Sequence, residues 1–504
     1  MEILNSIVSW VIKKRIHQIE LFKSYPNEVQ NEWLTRLLYT ARNTEFGKKY
    51  GFNDINGHKS FIERVPVQDY ESLKPYILRI KHGEQNLLWP NKINWFAKSS
   101  GTTSDRSKFI PVSKESLEEC HYKGGKDLLS IFYNAHPDSK LFSGKGLVIG
   151  GSSQVNQFSS NSYYGDLSSI IIKNLPYWAE YVRTPSMEIA LHPEWEEKLE
   201  KMAQIGAKEN VTNLSGVPSW NLLLLKRILD ISGKKNMMEV WPNFELYAHG
   251  GVSFRPYRKQ YEALFPSDQV KYLETYNASE GFFGIQDQFE KGDQDLLLML
   301  DYGMYYEFMP MSELGNEFPK TLSLDEVQVG ESYALIISTN AGLWRYMIGD
   351  TIEFTSLKPH RIRITGRTKF YINAFGEELI ADNAEEGIKL CQEKTGAILS
   401  DYTAGPIFYE DGVGGHEWII EFEKEPEDIG YFTDVLDTAL KSMNTDYEAK
   451  RYNDLNMKEP KINIVPKGTF YRWMESRGKL GGQNKVPRLS NDRKILESIL
   501  KMIS

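Results

Sequence analysis

The sequence predicts an α/β protein in two parts: a large N-terminal body of mixed β-sheets and helices, and a small α+β C-terminal domain. Three observations predict it. At 504 residues the chain is too long for one ordinary core. Short apolar runs, Leu147-Val148-Ile149 and Phe244-Glu245-Leu246-Tyr247, stop at the pairs Gly150-Gly151 and Gly250-Gly251, with helical stretches such as 219–231 between them. After Lys369 the pattern resets to a compact alternation of helices and strands.

In chain order, residues 1 to about 90 read as helical, with Val29, Trp33, Leu34, Leu37 and Leu38 on one apolar face. The opening stretch carries Ile3, Leu4, Ile7, Val8, Val11 and Ile12, but Lys13-Lys14-Arg15 ends the run too early for a membrane span. Glu2 precedes it and no small-residue cleavage site follows, so an amphipathic helix packed on the body is expected, not a signal peptide. A helix is also expected around 163–172. Residues 335–338, 351–354 and 363–366 predict strands. Beyond them come a helix near 382–394, strands near 407–409 and 418–422, and a helix near 429–444. The boundary is placed at 367–369, giving domains 1–368 and 369–504.

Composition narrows the class. Hydrophobic content of 41% and charged content of 25% are those of a soluble globular protein. A net charge of -8 argues against a nucleic-acid binder while leaving room for a local anion site. Cys120 and Cys391 are far apart and lack metal-ligand spacing, so neither a disulfide framework nor a zinc site is implied, and a reducing, cytoplasmic setting is expected.

Five stretches carry candidate chemistry. The loop Ser99-Ser100-Gly101-Thr102-Thr103 can surround a phosphate with backbone N–H groups and short hydroxyls, which makes ATP the first ligand to test. It is not a Walker A loop, and the same composition also suits a plain surface turn. In Thr275-Tyr276-Asn277-Ala278-Ser279-Glu280-Gly281, an aromatic ring precedes a carboxylate on a turn; Tyr276 can face a purine while Glu280 binds magnesium, or Tyr276 can be a core residue and Glu280 a surface one. Asp350, ending Arg345-Tyr346-Met347-Ile348-Gly349-Asp350, can accept ribose hydroxyls or simply sit in a turn. Gly366-Arg367-Thr368-Lys369 lies where a hinge is expected. The basic segment 467–493 sets Lys485 before Pro487, either as a mobile catalytic ammonium or as part of a solvated face.

These stretches, in this order, resemble the core motifs of the adenylate-forming enzymes. Within them the chain resembles the auxin-responsive acyl-acid amido synthetase family, a match carried further by Thr44-Glu45-Phe46-Gly47, Tyr306-Glu307-Phe308 and Lys485-Val486-Pro487-Arg488 and spanning nearly the whole sequence. The resemblance implies an adenylate-forming body with a mobile C-terminal lid. It implies ATP phosphates on Ser99, Ser100, Gly101, Thr102 and Thr103, Tyr276 stacked near adenine, Gly250 and Ser279 among the ATP-binding residues, Mg2+ on Glu280, and the ribose on Asp350 with Arg367. Lys369 matches the hinge and Lys485 the catalytic lysine. The implied partners are a small carboxylic acid and an amino acid, with no nucleic acid; the oligomeric state is left open. His249 is expected either to line the acyl or adenine pocket or to pack in the core. Met347 stands where the plant pattern commonly has arginine, and the stretch 163–172 offers no basic residue before Lys173 to hold an acyl carboxylate, which speaks against hormone substrates. Two alternatives stand beside amide formation: an adenylating ligase with a thiol acceptor such as coenzyme A, and a non-catalytic nucleotide-binding regulator.

Overall fold

The computed structural model describes residues 14–99, 108–149, 156–159, 161–175, 179–192, 195–251, 254, 257–290, 295–368, 371–372, 377, 379–409, 414–444, 447–448, 451, 457–480, 485–490 and 492–503. It divides into two compact units. The first comprises Met1–Ile348, Ile352–Arg363 and Gly481–Gln483; the second comprises Gly349–Thr351, Ile364–Leu480 and Asn484–Ser504.

The first unit begins with helices Ile16–Ser24 and Pro26–Ala41. Pro26 opens the second of these, where its missing N–H costs no hydrogen bond. Trp33, Leu34, Leu37 and Leu38 are buried, as their spacing predicts, and a polar residue, Gln30, is buried beside them. Its amide donates to Leu300 O and Met304 O and accepts from Tyr306 N, so the helix is clipped to a strand without an unpaired group. The opening stretch 1–13 lies outside the described residues.

A small sheet follows the helices. It holds β1 (Trp95–Ser99) and β2 (Lys108–Val112), and the strands of the main sheet begin with β3 (Lys145–Val148). β4 (Asn156–Ser159) and β5 (Ser162–Gly165) complete the small sheet in the order β2-β1-β5-β4. Tyr163 and Tyr164 therefore lie in a strand, and the helix expected over this stretch starts only at Leu167, after Asp166. Pairing to β1 decides this: Trp95 lies opposite Tyr163 and Ala97 opposite Gly165 in parallel register.

The main sheet continues with β6 (Arg183–Thr184), β7 (Val211–Gly216), β8 (Leu246–Gly250), β9 (Lys271–Ala278), β10 (Gly281–Gln286), β11 (Leu296–Leu298), β12 (Met304–Pro310), β13 (Ser332–Thr339), β14 (Tyr346–Leu357) and β15 (His360–Arg367). The order across it is β12-β13-β14-β15-β11-β10-β9-β8-β7-β3-β6. Strands β6, β3, β7, β8 and β9 are mutually parallel, linked by helical crossovers including Trp195–Gly206 and Pro218–Ser232. Their apolar side chains join the core of Leu147, Leu214, Ile228, Trp241, Phe244 and Tyr261. The expected strand at Phe244 begins two residues later, because Phe244 and Trp241 stack on each other in that core instead of extending β8.

One ion pair ties the antiparallel half together. Glu307 on β12 and Arg345, just before β14, are 0% and 3% exposed and meet at 2.9 Å. Arg345 also donates to Thr321 Oγ1 at 2.7 Å and to the carbonyls of Ile62 and Val65. Its φ of 44° is left-handed, an uncommon backbone for a non-glycine residue.

The second unit holds β16 (Tyr371–Ile372) and β17 (Leu379–Ile380) as a two-stranded ribbon, and β18 (Ile398–Phe408), β19 (Gly414–Lys424) and β20 (Lys461–Val465) as a sheet in that order. Helices Ala381–Thr395 and Ile429–Met443 cover it, burying Ile388 and Leu436 against Trp418 and Ile420. Asp428 caps the second helix through the N–H groups of Gly430 and Tyr431. Both helices match the sequence expectation to within a residue, while β18 begins well before residue 407.

The Glu307–Arg345 arrangement predicts an asymmetric response to mutation. Glu307→Leu, which strands a buried guanidinium, costs about 3–5 kcal/mol in urea unfolding. Replacing both, Glu307→Leu with Arg345→Met, costs less than the single change. A double variant less stable than Glu307→Leu would contradict the account.

Candidate active site

Parallel strands end at a common edge, and in α/β sheets that carboxyl edge is where ligands bind. Here it carries His249 and Gly250 at the end of β8, and Ala278 at the end of β9 followed by the turn Ser279–Glu280. Gly250 lies opposite Thr275, and a Cβ on it would come within 2.4 Å of the Thr275 carbonyl oxygen, so glycine there serves close strand contact. His249 is buried and stacked on Phe254 at 4.0 Å. Burial, then Arg258, pushes its imidazole down to about 3, so it is neutral, and its Nδ1 has no hydrogen-bond partner among the described residues. Tyr276 is 5% exposed and its ring packs against Phe283 at 4.8 Å. Ser279 is buried and Glu280 half-buried.

The candidate phosphate stretch begins at the end of β1. Ser99 and Lys108 are paired in antiparallel register between β1 and β2, and the Phe109 N–H donates to the Tyr70 hydroxyl at 2.9 Å. Ser100, Gly101, Thr102 and Thr103 lie outside the described residues, as does Lys369.

The second unit collects three of the predicted residues. On β14, Gly349 has a φ of 93°, a conformation suited to glycine, and the next residue is Asp350. The facing end of β15 supplies Arg367, whose Nε meets Asp350 Oδ1 at 2.5 Å. Thr368 holds the ends in place: its N–H donates to Gly349 O at 2.8 Å and its hydroxyl to the same carbonyl at 3.3 Å. The Asp350 side chain is 12% exposed and that of Arg367 39%, so the carboxylate lies beneath the guanidinium rather than in open solvent.

Lys485 belongs to the same electrostatic group. The protein crowded around it, then Arg367 and Arg488, lower its ammonium from the usual 10.5 to about 8, opposed by Asp350 and Glu385. The residue is nonetheless exposed, so water tempers that shift. Its segment is stitched to β18. Thr403 donates to Pro487 O at 2.7 Å, the Ala404 N–H to Arg488 O at 2.9 Å, and the Ser490 N–H to Ala404 O at 2.9 Å. Arg488 pairs with Asp401 and lies over the Tyr402 ring at 4.6 Å.

Several residues singled out in the sequence build the scaffold. Thr44 accepts from the Gly47 N–H at 3.0 Å and caps helix Glu45–Lys49, and a Cβ on Gly47 would lie 2.2 Å from Ala41 O. Tyr306 donates to Met299 O, and Phe46 packs on Trp344, a residue whose indole donates to Leu88 O. The basic run 467–493 is substantially paired inside its own unit: Arg493 with Glu417, Arg488 with Asp401, and Arg477 over Trp473. Thr368 and Arg488 were not read as site-building residues, although both lie within quoted motifs; their role depends on partners 19 and 87 residues away.

Among the described residues, no group of three or more His, Cys, Asp or Glu side chains is arranged to hold a metal ion. A single carboxylate such as Glu280 suits Mg2+, which keeps water and phosphate oxygens as its other ligands. Both cysteines are buried and free, their thiols pushed up to about 12 by burial. No helix among the described residues is long and apolar enough to cross a membrane.

Comparisons with known proteins agree along the chain. The GH3 family N-terminal domain matches residues 15–270, the GH3 family central domain 297–367, and the GH3 family C-terminal domain 382–494. An indole-3-acetic acid-amido synthetase, GH3.3 of Arabidopsis thaliana, is 23% identical, covering 96% of this chain and 93% of the relative. The jasmonoyl-L-amino acid synthetase JAR4 of Nicotiana attenuata is 24% identical, covering 97% and 95%. Among solved structures, the GH3.15 acyl acid amido synthetase superposes with a TM-score of 0.80 at 18% identity over 97% of this chain and 96% of that one. A 2-hydroxyisobutyryl-CoA ligase in the postadenylation state superposes with a TM-score of 0.59 at 12% identity, covering 95% and 92%. With the family's domains matching in order around this site, the chain belongs to the GH3 family, the auxin-responsive amido synthetases among the adenylate-forming enzymes.

Proposed function

We propose that the protein is an ATP-dependent acyl-acid amido synthetase. It converts a carboxylic acid to its acyl-adenylate and then passes the acyl group to the amine of an amino acid. The observation that carries the reading is the bond between Asp350 and Arg367, a ribose acceptor held by a cation, with Lys485 in the same unit and near enough to feel both charges. The named activities of the relatives, joining acids to amino acids, support the amine as acceptor.

In the first half-reaction a carboxylate oxygen of the acid attacks the α-phosphorus of ATP. The bond from that phosphorus to the bridging oxygen breaks, and pyrophosphate leaves. Two anions approach, so neutralising charge is the main catalytic need. Lys485 supplies a cation, and the segment Ser99 to Thr103 supplies hydroxyl and backbone donors. Asp350 accepts the ribose hydroxyls, with Arg367 holding its carboxylate in place. Tyr276 stacks near the adenine, with Gly250 and Ser279 also in the nucleotide site. Glu280 would hold Mg2+, which when bound supplies further positive charge to the phosphates. In the second half-reaction the amine nitrogen attacks the acyl carbon, the carbon–oxygen bond to AMP breaks, and the nitrogen loses one proton. No protein nucleophile is needed. The small domain, 369–504, turns about Lys369 between the two steps.

Carboxylate-dependent exchange of pyrophosphate into ATP, run across aryl, alkyl and amino acids, is expected to give signal with at least one acid, and silence across the whole panel would sink the reading. Product masses with amino acids or coenzyme A present then identify the acceptor; a thioester alone would replace amide formation with thiol ligation. Lys485→Ala is expected to lower exchange by about 100-fold or more. Since the ammonium is the useful form and its surroundings lower its pKa from the usual 10.5, wild-type exchange should fall on the alkaline side at a pH below that ordinary lysine value. Lys485→Arg should move that falling limb upward, because guanidinium stays charged. Lys369→Ala should spare exchange and slow amide formation. Equal loss of both half-reactions would contradict the hinge role.

A further inference from the structure

The parallel strands also have an amino-terminal edge, and it carries a cavity of about 280 Å³ lined by Phe132, His136, Asp138, Lys140, Glu245 and Lys271, among others. Glu245 immediately precedes β8 and Lys271 opens β9. A strand advances about 3.3 Å per residue, so this cavity lies at least ~13 Å from Gly250 and belongs to a different site.

Its polar groups have both signs and are partly prearranged. Glu245 is fixed by the Ser139 hydroxyl and by the Lys140 N–H at 3.0 Å. The Lys271 ammonium is anchored on Asp268 O at 2.6 Å. His136 is wedged between Phe132 and Phe289, at 5.0 and 4.9 Å. Its Nε2 is shut off from solvent and has no hydrogen-bond partner among the described residues. Burial, then Lys271, lowers the imidazole below its usual range, so the ring is neutral at pH 7. Asp138 and Lys140 are exposed at the mouth.

A simple anion here would face Asp138 and Glu245, and a simple cation would face Lys140 and Lys271. A small molecule carrying one charge of each sign satisfies both pairs. The volume falls just below the roughly 300 Å³ at which pockets for drug-sized ligands begin, which suits a small metabolite. We propose that this cavity binds a free α-amino acid as an effector, its ammonium toward Asp138 and Glu245 and its carboxylate toward Lys140 and Lys271. β8 and β9 run directly from this cavity to His249, Gly250 and the Ser279–Glu280 turn, so the two sites stand at opposite ends of the same strands.

The test is calorimetric titration of the full-length protein, without ATP or acid, by the standard amino acids, their carboxamides and their N-acetyl forms. At least one amino acid is expected to bind, with affinity falling by about tenfold or more when either charge is masked. Asp138→Asn and Lys140→Gln, both at exposed positions, should each weaken binding by a similar factor while leaving pyrophosphate exchange without effector unchanged. No binding up to about 10 mM would overturn the proposal. So would binding that survives undiminished in both variants, since the amino acid would then occupy an acceptor site elsewhere. Because the titration needs no catalysis, its outcome is independent of whether adenylation is observed.

Discussion

The buried Glu307–Arg345 ion pair is the constraint on which the rest of the body depends. Removing two charges from water is costly, and the arrangement repays that only because every polar atom is used. Arg345 bonds Glu307, Thr321 and the carbonyls of Ile62 and Val65, and its backbone pairs with Gln68, whose N–H donates to Arg345 O at 2.8 Å. The Met347 N–H in turn donates to Gln68 O at 2.9 Å. Helical segment, β12 and the start of β14 are thereby locked in one register. β14 runs on from this clamp to Gly349 and Asp350.

The second unit uses the same device around its own strands. Glu417 on β19 is 2% exposed and gathers Lys461, Asn463 and Arg493. Asp437 gathers Lys441, Tyr447 and Arg451. Of the 467–493 run, Arg493 is drawn into the Glu417 cluster and Arg488 into a pair with Asp401, while Lys485 lies exposed. The protein around it, and then the charges of Arg367 and Arg488, disfavour its ammonium, which makes the proton easier to lose. Arg488, neutralised by Asp401 and resting on Tyr402, positions the lysine's segment. One side chain is held so that another three residues away is placed.

Some of this was legible in the linear chain. Helical periodicity at Val29 to Leu38 and the helix beginning at Ile429 follow from side-chain spacing, and both appear where expected. The stretch 163–172 misled because Ile170 to Ile172 do lie in a helix, while Tyr163 and Tyr164 are drawn into β5 by pairing with β1. Tyr276 offered two readings, purine platform or core residue, and its contact with Phe283 became visible only once β9 and β10 were folded together.

By itself the sequence determined the α/β class, the order of the motifs and the residue types available for adenylation chemistry, because these depend on local propensity and on chemistry that a residue carries wherever it sits. Tertiary structure alone decided which charges meet. Asp350 and Arg367 are 17 residues apart and join because β14 and β15 fold back on each other. Arg345 is committed to Glu307, 38 residues away, and is therefore a structural cation. Electrostatic partnership depends on distance in space and on exclusion of water, and neither is written in sequence separation.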